Sequence, residues 1–368
     1  MAINKVVLGD QTLIDLTSDT VTPDTLAVGA TAHDKTGASI VGTMSSGGGG
    51  ASTKYGATAS TFLGDVDSNG VLQAPTAQTD LVFDGVTEIA GYGLYYKFYR
   101  CKGVKSISFP DLLTLSAGNT LSYICDNCTE LTHVHFAKVT SISGQRALQN
   151  AFSNTSCSSI SFPLLQSISG QYALYFAFSG VPLVSVSFPK LKTISGEYAF
   201  GHAFYQCSAL TSVDFPELEE ITADAFYLAF NGATKLANAS FPKLKVLGTP
   251  ENNTCDGQFE STFNSTGAPI TLSFPELTAI YCAGTSNYSS GTFRGCSAVT
   301  RIDFPKLSII ATGQNSGTYV GHKNIFNGCS KLTELHFGVA NQAAIEATEG
   351  YSTLWGRGAG NATVYFDL

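Results

Sequence analysis

Charge is scarce in this chain. Asp, Glu, Lys and Arg make up only 13% of its 368 residues, about half of the usual quarter. The formal net charge is −8, and no block of Lys and Arg stands out. That balance excludes nucleic acid, or an anionic membrane surface, as a partner held by a basic patch. No apolar run approaches membrane-span length, so no membrane insertion is expected. Met1-Ala2-Ile3-Asn4-Lys5-Val6 carries neither an apolar signal core nor a cleavage site, which predicts synthesis and folding in a cytoplasm. Nine cysteines, an odd number, fit reduced thiols in that setting better than a disulfide framework. The sequence also lacks a Walker motif, a Gly-x-Ser-x-Gly elbow and HExxH. The Gly356-Arg-Gly-Ala-Gly360 run follows no strand–helix signal, so it does not read as a dinucleotide loop.

Apolar residues, by contrast, are plentiful at 43%, which excludes global disorder. Gly, Ser, Thr, Tyr and Phe are abundant, so the surface must consist largely of hydroxyls and amides. Aligned on phenylalanine, the chain becomes a ladder: Phe83, Phe109, Phe136, Phe162, Phe188, Phe215, Phe241, Phe274, Phe304 and Phe337. The first intervals are 26 or 27 residues and the last three are 33, 30 and 33. Seven of the ten anchors precede proline. Such a period marks a solenoid in which each repeat is one supersecondary unit.

Around each anchor the apolar positions recur. Ile107, Val134, Ile160, Val186, Val213, Leu272, Ile302 and Leu335 lie two residues before it, the alternation of a half-buried strand. Proline then ends the strand because it has no N–H for the ladder. Pairs such as Leu112/Leu115, Leu165/Ile168 and Leu218/Ile221 follow in a bend. Further on, Leu94/Phe98, Leu148/Phe152, Leu174/Phe178, Phe200/Phe204, Phe226/Phe230 and Phe259/Phe263 lie four apart, the spacing of short helical turns facing a core. The expected fold is an α/β repeat, a solenoid of short strand plus short helix per coil.

Leu210-Thr-Ser-Val-Asp-Phe-Pro-Glu-Leu-Glu-Glu-Ile221 and Ala203-Phe204-Tyr205-Gln206-Cys207 resemble the BspA-like branch of the leucine-rich repeats, over roughly residues 81–340. The coils here are a few residues longer than is usual in that family, the surplus lying in Gly-Gln-Tyr or Gly-Glu-Tyr stretches. The resemblance implies binding or adhesion rather than catalysis, without naming a ligand.

Five regions are expected: 1–44, a small mainly-β module; 45–54, a Gly/Ser linker; 55–80, a hairpin cap; 81–338, the solenoid; and 339–368, a C-terminal cap. In the first, Lys5 to Leu16 reads as two strands around Gly9-Asp10, Thr22-Pro23-Asp24 as a helix start, and Asp34-Lys-Thr-Gly37 as a turn before Ala38-Ser-Ile-Val41. The stretches Gln11 to Leu16 and Thr31 to Gly37 resemble a module near the N-termini of tail-associated structural proteins of phages and prophages. A unit this small favours docking or oligomerising over standing alone. In the C-terminal cap, Val339 to Ile345 reads as helical and Asn361 to Phe366 as a closing strand.

Few residues tempt a catalytic or metal reading. Cys125-Asp-Asn-Cys128 has redox or zinc spacing, but Cys101, Cys128, Cys207, Cys296 and Cys329 all lie eight before an anchor, the regularity of a buried coil position. His133 and His135 alternate outward on one strand, with His336 in the matching place later and no third metal ligand beside the pair. No catalytic, cofactor or metal site is expected, and no acid/base pair of a glycan hydrolase is recognisable. The outward positions of stacked strands form the candidate ligand-binding face: His133, His135, Ser185, Ser187, Ser212, Asp214, Asn238, Arg301 and Asp303. The recurring Tyr172, Tyr175, Tyr198, Tyr205 and Tyr227 mark a second, aromatic face.

The expected function is that of a receptor-binding adhesion protein of a phage or prophage tail. It would reside in the virion after assembly in the host cytoplasm, with a bacterial surface glycan or protein as ligand. The N-terminal module would hold a tail component, and likeness to tail fibres implies a homotrimer. The alternative is a bacterial cell-surface adhesin or a general protein-interaction scaffold.

Overall fold

The computed structural model describes residues 79–249, 257–281, 291–311, 325–348, 351 and 362–368, together with five earlier strands, Lys5–Leu8, Gln11–Asp15, Thr31–His33, Ser39–Val41 and Ser52–Lys54. The first two of these strands pair antiparallel, as do the third and fourth. Ser52–Lys54, expected in the linker, pairs parallel with Thr79–Val82 and so extends the solenoid sheet. The Thr22-Pro23 helix start, the rest of the linker, residues 55–78 and the Gly356 to Gly360 run lie outside the described residues.

From Thr79–Val82 onward the chain is a parallel β-solenoid. Its anchor strands are Val104–Phe109, His133–Phe136, Ser159–Ser161, Ser185–Ser187, Ser212–Asp214, Asn238–Ser240, Ile270–Ser273, Val299–Phe304 and Glu334–Phe337, followed by Thr363–Phe366. Coil follows coil in register, so Ile107 faces Val134 and Val134 faces Ile160. After each anchor a two- or three-residue bend strand forms, and the bend strands from Thr114–Leu115 to Ile309–Ala311 make one unbroken eight-stranded sheet.

The phenylalanine anchors are buried and stack along the axis. Ring centroids from Phe83 to Phe337 are 4.6–6.0 Å apart, and Phe366 continues the column 5.8 Å beyond. A second column runs Phe152, Phe178, Phe204, Phe230 and Phe263. Each buried phenylalanine contributes roughly 1.5–3 kcal/mol by transfer, and aromatic contact adds about 0.5–1.5 kcal/mol per pair. Because each coil touches only its neighbours, stability accumulates coil by coil.

The helical expectation for the third side is overturned. Residues four apart do share a face, but through a ladder of overlapping turns. In the first coil Lys97 N donates to Leu94 O, Tyr99 N to Tyr96 O and Cys101 N to Phe98 O. The alternate amides leave the coil, Tyr96 N to Ser122 O, Phe98 N to Ile124 O and Arg100 N to Asp126 O. Half of the donors thus run along the coil and half along the solenoid axis, which accounts for the backbone without a helix. The arrangement puts every fourth residue in the left-handed region: Tyr92, Tyr96 and Arg100 at φ 56–59°, then Asn119, Tyr123 and Asn127 at 54–61°. Such a φ costs a side-chain-bearing residue roughly 1–2 kcal/mol, and the hydrogen bonds to the next coil hold it there. Close approach of coils also fixes a glycine column. A Cβ on Gly170 would stand 2.2 Å from Gly144 O, so Gly170→Ala should push the two coils apart and lower the melting temperature. An unchanged melting curve would refute that packing.

The solenoid ends much as its sequence reads. A 3-10 turn, Val339–Asn341, leads into the helix Gln342–Glu346 with Ile345 buried, and Thr363–Phe366 pairs parallel with Glu334–Phe337.

Candidate binding surfaces

The anchor strands carry outward side chains in two rows set by register. The nine candidate residues fall on three separate sheets. His133 and His135 lie on the first; Ser185, Ser187, Ser212, Asp214 and Asn238 share the second; Arg301 and Asp303 lie on the third. The ladder hydrogen bonding of an even repeat is therefore interrupted twice, although the strands on either side of each break still adjoin. The widest step of the phenylalanine column, 6.0 Å between Phe162 and Phe188, falls at the first break. The second break coincides with the first 33-residue interval.

The middle sheet presents the expected hydroxyl and amide lawn. Ser185, Ser212 and Asn238 form one row and Ser187, Asp214 and Ser240 the other. Ser185, Ser187 and Asn238 are exposed, Ser212 and Asp214 half-buried. Beneath them Val186, Val213, Phe188 and Phe215 are closed from solvent, so the lawn rests on a rigid core.

The flanking sheets are more enclosed than the alternation predicts. On the first, the buried Ser106 Oγ donates to Asp80 Oδ1 at 2.6 Å in the row of His133. His133 Nδ1 lies 2.8 Å from Thr132 Oγ1, and His135 Nδ1 is buried without a partner. Burial pushes both imidazoles below their ordinary pKa, with Asp80 opposing the shift at His133. These histidines are half-buried and neutral rather than an exposed pair. On the third sheet Arg301 Nε donates to Asp303 Oδ1 at 2.7 Å and Nη1 reaches Glu334 Oε2 at 3.5 Å. His336, expected outward, is buried, with its ring nitrogens 2.8 Å from Asp367 Oδ1 and 3.2 Å from Glu334 Oε2 and its face on Tyr365. Among the described residues no group of three His, Cys, Asp or Glu can hold a metal ion.

The thiols occupy the place that their spacing indicates. Cys101, Cys125, Cys128, Cys157, Cys207, Cys296 and Cys329 are buried and in no disulfide, while Cys255 and Cys282 lie outside the described residues. Cys128 Sγ donates to Phe98 O, Cys207 to Phe178 O, Cys296 to Phe259 O and Cys329 to Phe293 O, each in the preceding coil, at 2.8–3.1 Å. Burial pushes Cys157, Cys207 and Cys329 up to about 12, so they are unreactive thiols. Titration of freshly purified protein under denaturing, non-reducing conditions should count nine thiols; a lower count would contradict the reduced framework.

The turn ladder forms the second surface, and it is richer than the sequence reading held. Besides Tyr172, Tyr175, Tyr198, Tyr205 and Tyr227 it carries Tyr92, Tyr95, Tyr96, Tyr99 and Tyr123, ten of the sixteen tyrosines. Tyr92 is 62% exposed. The rings contact one another along and between coils, as in Tyr96–Tyr123 and Tyr172–Tyr198, stacked at 4.4 and 5.3 Å. The four-residue spacing of Tyr92, Tyr96 and Arg100 was the available signal. His202 lies in the same surface, stacked 4.3 Å from Phe176, and burial pushes it down to about 4 from 6.5. A histidine kept neutral by folding binds fewer protons than in the unfolded chain, so its contribution is complete above pH 6.5 and is lost as pH falls towards 4. His202→Gln should therefore flatten the loss of stability between pH 6.5 and 4 in urea titrations. Parallel curves for the two proteins would count against it.

Residues 86–203 and 148–255 match the family model described as BspA type leucine rich repeat region, in six copies. Solved structures are similar at low identity. The leucine rich repeat protein of T. pallidum is 22% identical, over 51% of this chain and 74% of its own, with a TM-score of 0.32. A leucine rich cell surface protein from Faecalibacterium prausnitzii A2-165 is 17% identical, over 82% and 94%, with a TM-score of 0.32. The TLR13–ssRNA13 complex is 12% identical, over 71% and 39%, with a TM-score of 0.21. No curated protein matches the sequence. The family match thus spans residues 86–255, where the chain is similar to BspA-type leucine-rich repeats.

Proposed function

We propose that this protein is a receptor-binding adhesion protein of a phage or prophage tail, with a bacterial surface component as ligand. The observation that carries the reading is the middle anchor sheet, where hydroxyl and amide groups with one carboxylate, Asp214, stand in register on a buried aromatic column. Ser185, Ser187, Ser212, Asp214 and Asn238 form the central contact, with His133, His135, Arg301 and Asp303 on the sheets to either side. Hydroxyls and amides held at strand spacing suit the polyol edges of a surface glycan, and a preformed surface reduces the ordering cost of binding. Residues 1–44, which resemble tail-associated modules, provide the attachment, and the assembled protein is a virion component.

The two roles should separate at the glycine linker. A truncated chain from about Ala51 onward, which keeps the Ser52–Lys54 strand, should bind host cells but fail to join tail particles in an assembly mixture. Incorporation of the truncated chain would remove residues 1–44 from the attachment role, and failure of the folded chain to bind cells would remove the solenoid from recognition.

A further inference from the structure

One outward column of the turn ladder is interrupted. Hydrogen bonds from Tyr96 N to Ser122 O, Tyr123 N to Gln149 O, Asn150 N to Tyr175 O and Phe176 N to Gly201 O place Tyr96, Tyr123, Asn150, Phe176 and His202 on successive coils. All five share the left-handed conformation, at φ 52–56°, so their side chains leave the backbone in the same sense. Tyr96 stacks on Tyr123 at 4.4 Å and 9°, and Phe176 stacks on His202 at 4.3 Å and 9°. Between the two stacks stands Asn150, which has no ring. Tyr123 and Phe176 are two coil steps apart, about 10 Å at the ~4.8 Å spacing of paired chains. One ring inserted above Asn150 would meet each neighbour at stacking distance.

Three larger neighbouring side chains are engaged elsewhere. Gln149 Nε2 donates back to the Tyr123 hydroxyl at 3.2 Å. The Tyr175 ring lies forward across Gly201, where a Cβ would stand 2.8 Å from its Cδ2. Arg146 is drawn over Tyr172, its guanidinium carbon 5.5 Å from the ring centroid. At the floor, Asn150 Oδ1 is buried and accepts no hydrogen bond. The rim consists of an amide, phenol hydroxyls and one arginine already engaged with a ring. The carboxylate on the coil of Tyr123, Asp126, is buried and accepts a hydrogen bond from Asn127 Nδ2 at 2.8 Å.

We infer that this interruption is a sugar subsite, a slot that takes one neutral pyranose ring between Tyr123 and Phe176 with a hydroxyl on Asn150. The apolar C–H faces of the sugar would meet the two rings and its polar edge the amides and phenols, a division of labour usual in small-ligand sites. The inference rests on the solenoid being a binding protein, but it places a contact on the turn ladder rather than on the anchor strands.

The test is calorimetric titration of the full chain with neutral tetrasaccharides of glucose, galactose, mannose and N-acetylglucosamine. At least one should bind saturably and change the tyrosine near-ultraviolet dichroism. Asn150→Tyr completes the column, and tyrosine is already accommodated at this φ at positions 96 and 123. It should keep or raise the melting temperature while weakening the sugar at least tenfold. Tyr123→Ala should weaken it comparably. Saturable binding by none of the four sugars, or unchanged affinity in Asn150→Tyr, overturns the slot. Cells bound by a chain that takes no sugar would discard the slot alone; cells left unbound by the intact chain would discard the wider reading as well.

Discussion

Phe215→Ala should destabilise the solenoid by about 3–5 kcal/mol, the range for removing a large aromatic ring from a closed core. Phe215 is fully buried and packs against a neighbouring parallel column, in which Phe200 stacks on Phe226 and Phe226 on Phe259. It stacks on Phe188 at 5.4 Å and Phe241 at 5.3 Å along the axis, and meets Phe200 at 5.9 Å and Phe226 at 5.3 Å edge-on. Backbone hydrogen bonds hold the neighbouring coils at fixed spacing, so they cannot collapse into the space. In a chain of this size the melting temperature should fall by on the order of 10 °C. Coils interact only in sequence, so the lesion should also divide the unfolding transition at the middle of the array. Val184→Ala is the control, since Val184 is 59% exposed and should cost under about 0.5 kcal/mol. A loss below about 1 kcal/mol at Phe215 would mean that the column is not what holds the coils together.

The anchor period, the strand before each anchor and the burial of the cysteines are legible in the sequence because each follows from one repeated spacing. The third side is not. Residues four apart share a face in a helix and in the turn ladder alike, so Leu174/Phe178 and Phe200/Phe204 cannot tell the two apart. The distinguishing feature is a left-handed backbone at every fourth residue, which glycine or asparagine would advertise. Asn119, Asn127, Asn150, Asn154 and Gly180 do mark some of those positions, but Tyr172, Phe176, Tyr198 and His202 occupy others, and bulky residues there read as helix. The candidate site is legible to a similar degree. Alternation finds the outward rows, but it cannot show that the sheet is broken on either side of Ser185 to Ser240. Nor can it show that His336 is covered by Tyr365 and held between two carboxylates. Those outcomes depend on coil-to-coil spacing and on side chains from other coils.

The sharpest functional expectation is that Ser187→Arg combined with Asp214→Arg abolishes binding to host cells. The two positions face each other on adjacent strands of the middle sheet, one exposed and the other half-buried. Long arginine side chains set side by side would cover both outward rows and bring two like charges together. A recognition surface built from small hydroxyl and amide groups with a single carboxylate tolerates neither the bulk nor the added positive charge. The loss should be at least about 100-fold, equivalent to roughly 2.7 kcal/mol or more. The fold should survive, because the buried faces of these strands, Val186 and Val213, are untouched. An unchanged melting temperature would separate lost binding from lost structure. Binding by the unmodified protein should vary little between 0.05 and 0.5 M salt, unlike recognition carried by exposed charges. If the folded double variant still binds cells, the anchor-strand face is not the contact, and Asn150→Tyr becomes the decisive variant. Loss of cell binding there would move recognition to the aromatic turn ladder. Retention in both variants would leave neither surface as the reader.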